Sequence, residues 1–91
     1  MKIKAHLVVE GRVQGVFFRS RTKREAEAVD VKGWVINRSD GQVETVFEGE
    51  EPAVKKMIEF CKRGPPGAKV VKVSISLGDY TGEFSEFEIR Y

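Results

Sequence analysis

The chain has 91 residues, 41% hydrophobic and 33% charged, with 16 Lys and Arg against 14 Asp and Glu for a net charge of +2. That length supports one domain around one core, residues 1–91, and leaves no room for a second cofactor-binding lobe; the balance argues against a disordered, fibrous or membrane-spanning chain, since no apolar run approaches the roughly 20 residues of a membrane helix. Cys61 stands alone beside one His, so neither an internal disulfide nor a Cys/His zinc site can be assembled, and no metal or cofactor is expected.

In chain order, Ile3, Ala5, Leu7 and Val9 alternate with Lys2, Lys4, His6 and Glu10, the period of two that buries one face of a strand. The same alternation stands where a secretory signal would carry an apolar block, so a cytoplasmic protein is expected. Residues 11–18 interrupt the strand. A helix is predicted over residues 20–30, where Arg, Lys, Glu and Ala dominate and Thr22, Ala26 and Val29 fall on one face. Gly33 then releases the chain into the β-prone Trp34-Val35-Ile36-Asn37, which ends at Ser39-Asp40-Gly41, a hairpin signal leading into a strand over residues 42–48. Glu50-Glu51-Pro52 starts a second helix with the apolar stripe Val54, Met57, Ile58 and Cys61, and Gly64-Pro65-Pro66-Gly67 stops it. Val71, Val73, Ile75 and Leu77 alternate through a fourth strand. Residues 78–82 read as its turn, and Phe87, Ile89 and Tyr91 alternate through the last one.

The order β-α-β-β-α-β plus a terminal strand is the split βαβ pattern of an α+β, ferredoxin-like α/β sandwich: two helices packed on one face of a four- to five-stranded antiparallel sheet. In a βαβ unit the two strands point the same way and end at the same edge. The loop over residues 14–19 and Asn37 must therefore share one rim.

That loop carries Gly15, no acidic residue, and Arg19 at a helix start, so backbone N–H groups and a guanidinium can converge on one anion. Residues 1–32 hold eight basic and four acidic groups, net +4, a modest asymmetry that suits a small phosphorylated ligand better than a nucleic acid. No Gly-Lys-Ser/Thr closes the loop, which disfavours nucleotide triphosphate hydrolysis. Asn37 is the one Asn in the chain, beside two Gln. Such a shortage of amides among many Glu, Lys and Arg is associated with proteins of thermophiles.

Val9-Glu10-Gly11-Arg12-Val13-Gln14-Gly15-Val16-Phe17-Phe18-Arg19 resembles the first signature of the acylphosphatase family. Gly33-Trp34-Val35-Ile36-Asn37, followed by Gly41, Val43 and Gly49, resembles the second, and the terminal Arg90-Tyr91 extends the likeness along the chain. Ile36 departs from the pattern, standing where relatives usually carry Lys, Arg, Gln, Ala or Met; strand alternation points it away from Asn37. The resemblance implies a metal-independent hydrolase that cleaves acyl phosphates to carboxylate and inorganic phosphate. It implies that Arg19 binds the phosphoryl group with the loop of Gln14, Gly15, Val16, Phe17 and Phe18, and that the Asn37 amide holds the attacking water. Inorganic phosphate would be product and competitive inhibitor, and the chain would act as a monomer without nucleic acid or membrane.

Such a minimal set suffices chemically, because the leaving carboxylate has a conjugate-acid pKa of roughly 4 and needs no general acid. Two other readings compete. An accessory domain could bind an acyl or carbamoyl phosphate without rapid turnover, although such domains usually lie inside longer chains and this one starts at its own Met1. An RNA-binding module shares the topology, and Arg19, Arg21, Lys23 and Arg24 supply charge, but the first strand lacks the aromatics that stack bases.

Overall fold

The computed structural model describes all residues from Met1 to Tyr91. Strand β1 (Lys2–Arg12) lies inside the sheet and converts its alternation into two faces, with Ala5, Leu7 and Val9 wholly buried under the helices. It pairs antiparallel with β3 (Val43–Glu50) on one side and β4 (Lys69–Asp79) on the other. Between them in sequence come helix α1 (Phe18–Ala28), strand β2 (Lys32–Asn37) and helix α2 (Glu51–Arg63); β5 (Phe87–Arg90) ends the fold. The sheet order is β4-β1-β3-β2-β5. No helix is long and apolar enough to cross a membrane.

Both helices bury one stripe against the sheet. Phe18, Thr22 and Ala26 of α1 meet Val54, Met57, Phe60 and Cys61 of α2 in one core, where the Phe18 and Phe60 rings lie 6.2 Å apart and tilted by 57°. Helix α2 has Glu51 in its first turn and Lys62 and Arg63 in its last, matching the helix dipole, and Gly64 closes it in a left-handed conformation with its N–H on the Phe60 carbonyl at 2.7 Å. Burial pushes the Cys61 thiol up to about 12, which leaves it a small core residue with no nucleophilic thiolate.

Four local expectations change. Strand β1 runs through Gly11 to Arg12, because Gly11, at φ 132°, lets β4 approach so closely that a Cβ there would stand 2.1 Å from the Lys69 carbonyl oxygen. Helix α1 starts at Phe18 and ends at Ala28, since Asp30 already turns left-handed at φ 58°. Strand β4 is an outer edge, where Leu77 stays 61% exposed, and a bulge opposite Glu10 and Gly11 skips Val71, which is 73% exposed while Val70 packs against the core. Strand β5 makes no hairpin with β4. It crosses to the far edge and pairs parallel with β2, giving a mixed sheet.

One carboxylate explains the crossing. Glu48 of β3 is 2% exposed and accepts the Thr81 N–H at 2.6 Å, the Thr81 hydroxyl at 2.8 Å and the Gly82 N–H at 3.2 Å. Lys4 lies 3.7 Å from the same carboxylate. These bonds fasten the segment between β4 and β5 across the sheet and deliver Phe87 to its buried place beside Gly33. Glu48→Ala would orphan two backbone N–H groups, and a loss of about 2–3 kcal/mol in urea unfolding is expected. An unchanged midpoint would show that the segment is fastened by something else.

Candidate active site

The N-terminus of α1 is open. Its cap residue, Phe17, is left-handed at φ 63° and offers no side-chain acceptor, and the first turn holds no acidic residue. The first N–H groups of an α-helix have no partner within it, so here they remain available to an anion. Gly15, at φ 75°, is left-handed too, with open space where a Cβ would stand. Two such residues flanking Val16 make the alternation that gathers backbone N–H groups into an anion-binding concavity.

Arg19 follows in the first turn of α1. One of its Nη atoms donates to the Arg90 carbonyl at 3.3 Å, and its guanidinium lies over the Tyr91 ring, 4.7 Å from the centroid. It makes no salt bridge. Its position is thus set by a neutral carbonyl and an aromatic face, which leave the positive charge uncompensated.

Asn37 arrives from the other side of the sheet. It ends β2 opposite Val43, which is also the partner of Val9 in β1, so the βαβ geometry brings it level with the end of the first strand. Its Oδ1 is enclosed and has no hydrogen-bond partner. An orphaned buried acceptor costs about 1–3 kcal/mol unless something fills its place.

These groups share one cavity of about 310 Å³. Of the predicted residues it takes in Gly15, Phe17, Phe18, Arg19 and Asn37; Gln14 and Val16 do not line it. The Gln14 side chain instead donates to the carbonyls of Arg38 and Gln42 at 2.8 and 2.9 Å, fastening the β2–β3 turn, and Val16 packs against the core. Ile36 is half-buried and pairs with Glu44 and Arg90, on the face opposite Val35 and Asn37. Val13, Ser20, Ile89 and Tyr91 complete the lining. Tyr91 was legible as part of a terminal motif, yet its place beside Arg19 depends on β5 pairing with β2, which strand alternation does not reveal.

The lining holds no Asp, Glu, His or Cys side chain. The Ser20 hydroxyl donates to the Phe17 carbonyl at 3.2 Å and has no neighbouring base, so it is not an activated nucleophile. What remains is an anion cradle, a guanidinium without a salt bridge and the Asn37 carboxamide.

The family model described as Acylphosphatase matches residues 5–89. The chain belongs to the acylphosphatase family. It is 51% identical over 90 residues to an acylphosphatase of Pelotomaculum thermopropionicum, covering 99% of this chain and 98% of that one. It is 52% identical over 88 residues to an acylphosphatase of Pyrobaculum islandicum, covering 96% and 93% of the two chains. The crystal structure of acylphosphatase from Bacillus subtilis superposes with a TM-score of 0.93 at 38% identity, covering 98% of this chain and 99% of that one. Family membership identifies an acylphosphatase, a hydrolase acting on acid anhydrides, with a small acyl phosphate as substrate, and it favours the enzyme over the accessory and RNA-binding readings.

Proposed function

We propose that residues 1–91 act as one domain in which Arg19 and the amides of residues 14–18 grip the phosphoryl group while the Asn37 carboxamide holds the water that attacks it. The observation behind this assignment is that Asn37 lines the same cavity as Arg19, whose guanidinium forms no salt bridge. The carboxamide accepts a hydrogen bond from the water and orients the water's own lone pair at phosphorus. As the new P–O bond forms the acyl–O–P bond breaks, the water's proton passes to a phosphate oxygen or to solvent, and the guanidinium and amides offset the charge on the equatorial oxygens of an in-line transition state.

The acyl carboxylate departs from the side opposite the water. Being the base of an acid with pKa roughly 4, it leaves unprotonated, so a cavity lined without an Asp, Glu or His side chain is adequate and no metal is called on. Released phosphate keeps the contacts of the transferred group and therefore competes with substrate. The enzyme works as a monomer in the cytoplasm.

Purified protein in excess chelator should hydrolyse a small acyl phosphate at an undiminished rate, and an alkyl phosphate monoester at least about 10³-fold more slowly. Comparable rates on the two substrates, or activity lost to the chelator and restored by a divalent cation, would sink the mechanism.

A further inference from the structure

The sheet brings the anion cradle and Asn37 to one rim without joining them. Strand β2 is not a neighbour of β1, since β3 lies between, and the ladder of β1 with β3 ends at the pair of Val9 and Val43. Beyond Val9 the chain pairs with β4 alone, as far as Arg12, and residues 13–17 have no strand alongside. A loop held in this way could shift against the strand that carries Asn37. In-line attack tolerates little of that, because a misplacement of about 1 Å can cost about 10² in rate.

Two hydrogen bonds close the gap. The Gln14 carboxamide donates to the Arg38 carbonyl at 2.8 Å and to the Gln42 carbonyl at 2.9 Å, and no other hydrogen bond links residues 13–17 with residues 37–42. Arg38 directly follows Asn37, and Gln42 directly precedes Val43, the residue paired with Asn37. Gln14 itself directly precedes the left-handed Gly15, where the cradle begins. Both acceptors are carbonyls, so the group facing them is the NH2, and both of its protons are used. Neither carbonyl depends on Gln14 for a partner. That of Arg38 also accepts the Gly41 N–H at 3.2 Å, and that of Gln42 the Arg38 N–H at 2.8 Å. The turn is therefore complete by itself, and what the side chain adds is a fixed distance between turn and cradle.

We infer that Gln14 is a positioning residue: its side chain spans the rim from the cradle to the Asn37 turn and holds the proposed water site at in-line reach of the phosphoryl group. This rests on the assignment of the water to Asn37. A carboxamide suits the place because it presents two protons on one planar group. A carboxylate of the same length presents none and would set a negative charge against two carbonyl oxygens.

The test places Gln14→Met and Gln14→Glu in the parent protein and in Asn37→Ala. Methionine keeps an unbranched chain of similar length, and neither replacement orphans a carbonyl, so both variants should fold, which urea unfolding checks. For a small acyl phosphate, kcat should fall about 10- to 10²-fold in each variant. The phosphate inhibition constant should stay within about threefold, because the cradle and Arg19 are intact. In Asn37→Ala the same substitutions should lower kcat by less than about threefold further, since the group they would misplace is already gone. A parent kcat kept within about twofold, phosphate affinity lost in step with kcat, or the full loss repeated in Asn37→Ala would each overturn the inference. Asn37→Ala alone decides the reading beneath it. Undiminished turnover there counts against the water site, whereas a loss repeated in full on top of it counts against Gln14 alone.

Discussion

Arg19→Ala should lower kcat/KM for a small acyl phosphate by at least about 10³, and weaken inhibition by inorganic phosphate by at least about tenfold. The size of the loss follows from the surroundings of the guanidinium. It makes no salt bridge, and what positions it is one carbonyl and the face of Tyr91, so its charge is free to meet the phosphoryl oxygens. Arg19→Lys restores the charge without the planar fork or the stacking, and should recover less than about a tenth of the lost rate. Initial rates and the phosphate inhibition constant decide the matter. Phosphate inhibition identical in parent and Arg19→Ala would remove Arg19 from the binding site.

Asn37→Ala should separate the two halves of the mechanism. Its carboxamide is assigned to the water, so kcat should fall by about 10²–10³ while the phosphate inhibition constant stays within about threefold. Asn37→Asp keeps the shape and adds a negative charge facing the phosphoryl group; it should be slower than the alanine variant and should also bind phosphate more weakly. Parallel loss of kcat and phosphate affinity in Asn37→Ala would contradict a role confined to the nucleophile.

Much of this arrangement is legible in the chain before folding. Alternation in residues 2–9 and the β-prone run Trp34-Val35-Ile36-Asn37 identify two strands, a helical stripe lies between them, and the handedness of βαβ units then brings the loop after β1 to the rim where Asn37 ends β2. What escapes this reasoning is long-range. Alternation states which face a residue takes and is silent on which strand lies alongside, so the parallel pairing of β5 with β2, and with it the position of Tyr91 under Arg19, could not be read. Leu77 has the right period for burial, but exposure was decided by how far the helices reach over the β4 edge. Glu48 occupies a strand position that suggests solvent, and it is buried because the Thr81 and Gly82 amides, distant in sequence, settle on its oxygens. Gly11 looked like a turn and is a gap left for a neighbouring backbone.

The fastening of residues 81 and 82 to Glu48 lies in the segment that leads from β4 to β5, and the contacts with Arg19 lie where the chain leaves β5. The last strand thus works as a tether with its anchor at one end of the sheet and its working tip at the other. A protease nick in the crossing segment, or any slackening there under mild denaturant, would let the tip drift before the core melts. Hydrolysis would then fade ahead of global unfolding, and activity would report the integrity of a buckle that never meets the substrate.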